Sequence, residues 1–351
     1  MAPPTFADVL PIKQLSSHQY TLTLENEWCI GTVPNGGYTT SAFLMVARTH
    51  MSLTHGSRSE PHPVNMHLEF LRRTSVGPAV FTVKDVKLGS RISNLHIVLA
   101  QKQEHNGQWQ DQVQGYITMS NIATEQGLSF DTQYQLWPPA LPANLALLGT
   151  KGRDENYTIR ANDPFPAFRR AGQNIQIYLV QPHRRRQPGQ SGQPRAIVDQ
   201  WVRFAPKTPS LNPSKNITGR WTNDALGFVV DMFPQIVESY VNPVVEEAAI
   251  GQHSQAELKA LLKSGEPSAK FWYPTLSLNL DVKKLLPEEG VEWLFVRVLA
   301  KTIRNGRFDL NIEVWDEAGE LVASSTHASL IVDASRNTTR KSKEQPKDSK
   351  L

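Results

Sequence analysis

The sequence holds one cysteine, Cys29, in 351 residues. A lone thiol excludes an internal disulfide, and with it a secreted fold stapled by bridges; it equally excludes a thiolate-rich zinc or iron–sulfur centre. Long apolar runs are missing too. No stretch approaches the ~18 residues of a membrane span, and residues 1–19 have neither the basic start nor the unbroken apolar block of a signal peptide. Charge of one sign is scarce: 37 Lys plus Arg face 33 Asp plus Glu, for a net charge of +4. The densest basic run, His183-Arg184-Arg185-Arg186, has no aromatics interleaved, which argues against a nucleic-acid partner. There is no His-Glu-x-x-His metal motif, so no metal ligands are assigned, and Gly189-Gln190-Ser191-Gly192 is one residue short of a nucleophile elbow. The Asn-x-Thr triplets at Asn156, Asn216 and Asn337 read as chance matches in a chain without a secretory route.

What is present is an ordinary soluble composition, 39% hydrophobic and 20% charged. At roughly 150 residues per domain the length suggests about two domains. The last sixteen residues, Arg336 to Leu351, are Lys- and Ser-rich and finish Ser349-Lys350-Leu351. That tripeptide on a polar tail predicts a peroxisomal address read by the import receptor.

Residues 36–54 are almost continuously apolar at helical length, with Asn35 and two glycines at the start, which predicts a buried helix. Alternating segments follow at Val64 to Leu71, Ala79 to Leu88, Ile92 to Gln101 and Gln110 to Met119, separated by Gly77-Pro78, Gly89-Ser90 and Asn106-Gly107. The pattern then breaks over Ser120 to Arg195, a Pro- and Gly-rich connector in which Ile175 to Val180 is the best strand candidate. It returns as a strand at Ala196 to Phe204, a helix from about Asn223 to Tyr240, and strands at Lys270 to Val282, Trp293 to Thr302, Phe308 to Trp315 and Leu321 to Val332. The same unit occurs twice. A helix apolar on every side is stable only inside a protein wall, and here the strands must supply that wall. The expected fold is α+β: a double hotdog, two antiparallel sheets each wrapped around a long central helix. The expected organisation is an N-terminal hotdog over 1–121, a connector over 122–195, a C-terminal hotdog over 196–333 and a tail over 334–351.

At this level the chain resembles the type II acyl-CoA thioesterases and their fungal thioesterase-like relatives. The first half carries the likeness in Pro34-Asn35-Gly36-Gly37-Tyr38, His67-Leu68-Glu69-Phe70-Leu71-Arg72-Arg73 and Asp85-Val86-Lys87-Leu88-Gly89-Ser90-Arg91. The second half carries it in Leu226-Gly227-Phe228-Val229-Val230-Asp231-Met232, Tyr273-Pro274-Thr275-Leu276-Ser277 and Gly319-Glu320-Leu321-Val322-Ala323-Ser324-Ser325-Thr326-His327. In that family a helix aspartate, a strand threonine and a glutamine hold the water that attacks the thioester. The resemblance puts these roles on Asp231, Thr275 and His327, with histidine standing where the family usually has glutamine. Glutamine only positions a water, whereas an imidazole with a pKa near ~6.5 also takes its proton.

The residues themselves add to this. Phe228, Val229, Val230, Met232 and Phe233 surround Asp231 with apolar neighbours, so its carboxylate would be desolvated and its pKa pushed upward, unless it simply caps a nearby loop. Thr275 and His327 read equally as strand packing residues. Asn35, Gly36 and Gly37 would leave N–H groups at a helix start for a thioester oxygen or a phosphate, or serve as an N-cap with close packing. Arg72, Arg73 and Arg91 are candidates for the phosphates of coenzyme A, and Ser277 for the substrate beside Thr275. No cofactor is expected. The readings are an acyl-CoA thioesterase, a non-hydrolytic hotdog dehydratase, cyclase or isomerase of a biosynthetic pathway, or a catalytically silent acyl-CoA-binding protein. A homodimer is a further expectation.

Overall fold

The computed structural model describes residues 3–104, 106–161, 163, 165–184, 194–205, 218–241, 250 and 269–338. Arg185, Arg186, the Gly189 to Gly192 run, Asn216 and the Ser349-Lys350-Leu351 terminus lie outside the described residues.

The predicted buried helix is α1, Gly36–His55. Asn35 caps it, its side-chain oxygen accepting the Tyr38 N–H at 3.0 Å. Thirteen of its residues are buried. The Thr39 and Thr40 hydroxyls donate back to the Asn35 and Gly36 carbonyls at 3.2 and 2.8 Å, so neither is stranded in the apolar interior.

Around α1 run β1 (Lys13–Ser16), β2 (Gln19–Leu24), β3 (His62–Phe70), β4 (Gly77–Leu88), β5 (Ser93–Lys102) and β6 (Trp109–Ser120). The second half supplies β7 (Tyr157–Ile159), β8 (Ile175–Val180), β9 (Ile197–Phe204), β10 (Thr275–Val282), β11 (Trp293–Leu299), β12 (Arg307–Trp315) and β13 (Leu321–Leu330). The expected meanders are therefore present, and β5 shows the alternation that made it legible, a buried residue at every second position from Ser93 to Gln101.

Four differences from the expectations have physical causes. First, the two sheets are not separate. β3 pairs antiparallel with β10, Leu68 opposite Leu278 and Met66 opposite Leu280, so the order runs continuously β1-β2-β4-β5-β6-β3-β10-β13-β12-β11-β9-β8-β7. Two exposed edges have been traded for one internal ladder. Second, much of the stretch read as a connector belongs to the second half: β7 and β8 extend its sheet, and α2 (Leu145–Lys151) covers the outer face. There Leu148, Tyr157, Tyr178, Trp293, Phe295 and Trp315 form a second core, and Arg297 pairs with Asp199 through two bonds of 2.7 Å while also donating to the Pro138 carbonyl. Third, the helix expected over Asn223 to Tyr240 is interrupted. The structure has α3 (Leu226–Val229), a turn, and α4 (Glu238–Val241). Pro234 has no N–H for a continuing helix and holds Phe233 away from helical geometry. Asp231 thus sits in the turn just after α3. Fourth, the strand expected over Lys270 to Val282 breaks at Tyr273-Pro274, and Phe271–Trp272 pairs instead with Val332–Asp333.

The two halves meet at two glycines. A Cβ on Gly37 would lie 2.7 Å from the Gly227 carbonyl, and one on Gly227 would lie 2.5 Å from the Ser41 nitrogen. Only hydrogen side chains let α1 and α3 approach this closely, and the Ser41 hydroxyl then accepts the Phe228 N–H at 2.9 Å.

Candidate active site

The approach of α3 to the start of α1 delivers Asp231 to the N-terminus of the other half's helix. Its Oδ2 accepts the Gly37 N–H at 2.7 Å and the Asn35 Nδ2–H at 3.1 Å. Burial pushes the Asp231 carboxyl up to about 7, against the opposing pull of the Gly37, Asn35 and Thr275 hydrogen bonds. The side chain is 9% exposed. A carboxyl that ionises near neutrality at the N-terminal end of a helix, open to a cleft, is poised to take and return a proton.

Thr275 reaches the carboxylate because of a bulge. The register shifts between Thr275, opposite Ser329, and Ser277, opposite Ala328. Opposed residues share a face, and Ser329 is buried on the side of His327 and Ser325. Thr275 therefore turns inward to Asp231, while Ser277 stays on the outer face with Ala328. Ser277 is not at the site.

His327 lies behind the carboxylate, its side chain fully buried and its Nδ1 3.6 Å from Asp231 Oδ1. That distance is beyond hydrogen-bond reach, and Nδ1 has no hydrogen-bond partner among the described residues. On the other side of the ring, Nε2 lies 3.0 Å from the Ser325 hydroxyl, which itself donates to the Asn279 carbonyl. Ser325 has therefore spent its proton, and the network assigns the hydrogen of the neutral ring to Nε2. Burial lowers the imidazole to about 3, so it is neutral near pH 7 with its Nδ1 lone pair aimed at Asp231. Ser325 was not singled out from sequence; a serine two residues before the histidine, on the same strand face, was the available signal.

The carboxylate opens into a cleft of about 280 Å³. Phe70, Phe168, Ile177, Met232, Phe233 and Phe271 give it an apolar wall, and Gly36, Asn35, Thr275, Arg72 and Arg73 also line it. One flank carries a buried ionic network that sequence reading missed, because its members come from four separate segments. Arg160 pairs with Asp163 at 2.9 Å, Arg169 with Glu238 at 3.2 Å, and the Tyr273 hydroxyl donates to Glu238 at 2.7 Å.

Of the two readings of the glycine loop, the geometry fits the N-cap with close packing. Gly37 and Asn35 hold the catalytic-candidate carboxylate rather than standing free for substrate, and a Cβ on Gly36 would come 2.9 Å from Asp231 Oδ2. Arg72 is exposed at the cleft, donating to the Asp111 carbonyl at 2.9 Å. Arg91 is elsewhere. Its carbonyl accepts from Ser120, which faces His62, whereas the cleft lies at the Phe70 end of the same strand pair, roughly 25 Å away at ~3.4 Å per residue. Cys29 is no nucleophile: its thiol is buried and pushed up to about 11.

One carboxyl from the second half seated on the helix start of the first, inside a sheet shared by both, defines a double-hotdog protein whose candidate site draws on both halves. The acyl-CoA thioesterase N-terminal domain profile matches residues 24–120 and the C-terminal domain profile matches residues 151–331. The chain belongs to the acyl-CoA thioesterase family. It is 35% identical to the thioesterase-like protein TwmA of Talaromyces wortmannii, over 96% of this chain and 94% of that one. Two solved structures share the fold. One is acyl-CoA thioesterase II TesB2 from Mycobacterium marinum, with TM-score 0.58 and 15% identity over 93% of this chain and 98% of that one. The other is a hot dog-fold protein of unknown function from Alicyclobacillus acidocaldarius, with TM-score 0.60 and 17% identity over 93% and 97%.

Proposed function

We propose that the protein hydrolyses an acyl-CoA, giving a free acid and coenzyme A, with Asp231 as general base and Thr275 and His327 orienting the attacking water. The observation that carries this is the Asp231 carboxylate opening on an apolar cleft, with a second acceptor, the buried His327 Nδ1, 3.6 Å behind its Oδ1. Two lone pairs at that separation need a hydrogen donor to satisfy them. A water donating there presents its oxygen lone pair to a carbonyl carbon in the cleft. As the oxygen attacks, its proton passes to Asp231, the thioester carbonyl becomes an oxyanion, and collapse expels the thiolate, which takes up the proton. Gly36, at the start of α1, has its backbone on the cleft side for the developing negative charge. The acyl chain would lie along Phe70, Met232 and Phe233, with the phosphates of coenzyme A near Arg72 and Arg73.

The test is thiol release from a panel of acyl-CoAs of graded chain length, beside an Asp231→Ala control. Signal above the control supports hydrolysis; tight binding with no release on any substrate makes the protein a silent acyl-CoA binder. The neutral histidine opposite a proton-carrying carboxyl also suits a second reading, proton shuttling on an acyl intermediate as dehydratase, cyclase or isomerase. Product mass separates them. Hydrolysis adds one water across the thioester, whereas isomerisation leaves the mass unchanged and dehydration removes a water.

A further inference from the structure

At the far end of α1 from Asp231, three imidazoles close on one carboxylate. His18 Nε2 lies 3.1 Å from Asp85 Oδ2, His55 Nε2 lies 2.9 Å from the same oxygen, and His50 Nε2 lies 2.9 Å from Oδ1. One ligand atom from each of the four residues falls within 4.8 Å of all the others. Each comes from a different local geometry. His18 sits in the two-residue turn between β1 and β2. His50 is on the buried face of α1. His55 ends that helix with φ −129°, which swings it back toward His50 although the two are five residues apart. Asp85 points inward from β4 immediately before a register shift.

We propose that this cluster is a zinc site in which the Nε2 atoms of His18, His50 and His55 and the Asp85 carboxylate bind one ion as a closed, structural centre. Three imidazoles and a carboxylate are a borderline-soft N₃O set, suited to zinc(II) in a tetrahedron. With bonds of about 2.0–2.1 Å, a tetrahedron has edges of about 3.3 Å. The nitrogen-to-oxygen separations of 2.9–3.1 Å are close to that edge and the four ligand atoms lie within 4.8 Å of one another, so ligation requires the three rings and the carboxylate to draw together around one ion. Outer partners are in place as well: His50 Nδ1 is 3.1 Å from the Tyr20 hydroxyl and His18 Nδ1 is 2.9 Å from the Ser17 hydroxyl. There is also a way in, since the His18 side chain is 42% exposed while that of His50 is wholly covered. The centre lies at the C-terminal end of α1, where the helix dipole favours a cation. It would clamp the hairpin β1–β2 and strand β4 to that helix end, about 20–27 Å along the helix from Gly37.

The test uses the full chain stripped with chelator and then titrated with cobalt(II) and with zinc(II). One cobalt per chain with intense tetrahedral visible bands, displaced by zinc, together with a zinc-dependent rise in melting temperature, supports the site. His18→Ala, on the exposed ligand, and Asp85→Asn should each weaken binding at least tenfold while circular dichroism stays unchanged. Absence of stoichiometric cobalt bands in the wild type overturns the proposal. So does wild-type affinity in both variants, since the ion would then be bound elsewhere.

Discussion

The Asp231 carboxylate, carried by the second half of the chain, takes its shortest hydrogen bond, 2.7 Å, from the backbone N–H of Gly37 in the first. The proposed base is therefore positioned by main chain from the opposite repeat. Side-chain chemistry is asymmetric between the halves, and the first contributes a helix terminus where the second contributes the acid.

Gly37→Ala tests that arrangement. Its Cβ would meet Asp231 Cβ and the Gly227 carbonyl at 2.7 Å, both on packed elements with no flexible end to yield. We expect destabilisation by about 1–3 kcal/mol and a fall in kcat/KM of at least tenfold as Asp231 is displaced. Melting temperature and thiol-release kinetics check the two effects; an unchanged protein contradicts the packing.

Asp231→Asn should lower kcat by about 10²–10⁴-fold, the range for losing a general base. It also has a stability signature. The carboxyl ionises near 7 when folded and near 3.8 in the unfolded chain, so its contribution is full below the lower value and lost as pH rises through the upper one. Between pH 5 and pH 8 the wild type should lose on the order of 2 kcal/mol that the variant keeps. Denaturant titrations at the two values read this directly.

Thr275→Val removes a hydroxyl while keeping shape. That hydroxyl helps to hold the Asp231 carboxyl down, so its loss should move the inflection of the kcat/KM–pH profile above 7 and lower the rate at neutral pH. An inflection that stays in place would detach Thr275 from the base.

His327→Gln installs the amide that the thioesterase resemblance leads one to expect. Glutamine orients a water as the imidazole is proposed to do, so hydrolysis should survive with kcat falling by less than the ~10²-fold expected for loss of the base. Complete loss of turnover would favour the proton-shuttling reading. The stability sign is opposite to that of Asp231. The imidazole falls to about 3 when folded, so its contribution is full above the ordinary 6.5 and lost as pH drops toward 3. The variant should therefore tolerate acid better than the wild type, as melting curves at pH 7 and pH 4.5 will report.

Much of this was readable because burial leaves a periodic trace. The run from Gly36 onward could only be a surrounded helix, and β5 alternates so regularly that its inward face is evident. Asp231 stood out as an acid among apolar neighbours. What was unreadable arises from pairings between distant segments. The bulge that turns Thr275 inward and leaves Ser277 outside depends on the β13 register. The distance of Arg91 from the cleft depends on strand lengths, which carry no side-chain signature. Strand β1 is exposed at all four residues, so it leaves no alternation, and with it went the placing of His18. Pro234 is the sequence signal for the break in the helix expected over Asn223 to Tyr240, set within an otherwise apolar run.

The ladder between β3 and β10 joins main chain to main chain and is reinforced by side chains, Asn65 donating to Asp281 and His67 Nδ1 lying 2.7 Å from Asn279 Oδ1. The proposed base and the helix start that holds it lie on opposite sides of that seam, Asp231 in the second half and Gly37 in the first. A truncation that removes either half would therefore leave the proposed site without one of its two parts, so the two repeats would not serve as exchangeable modules.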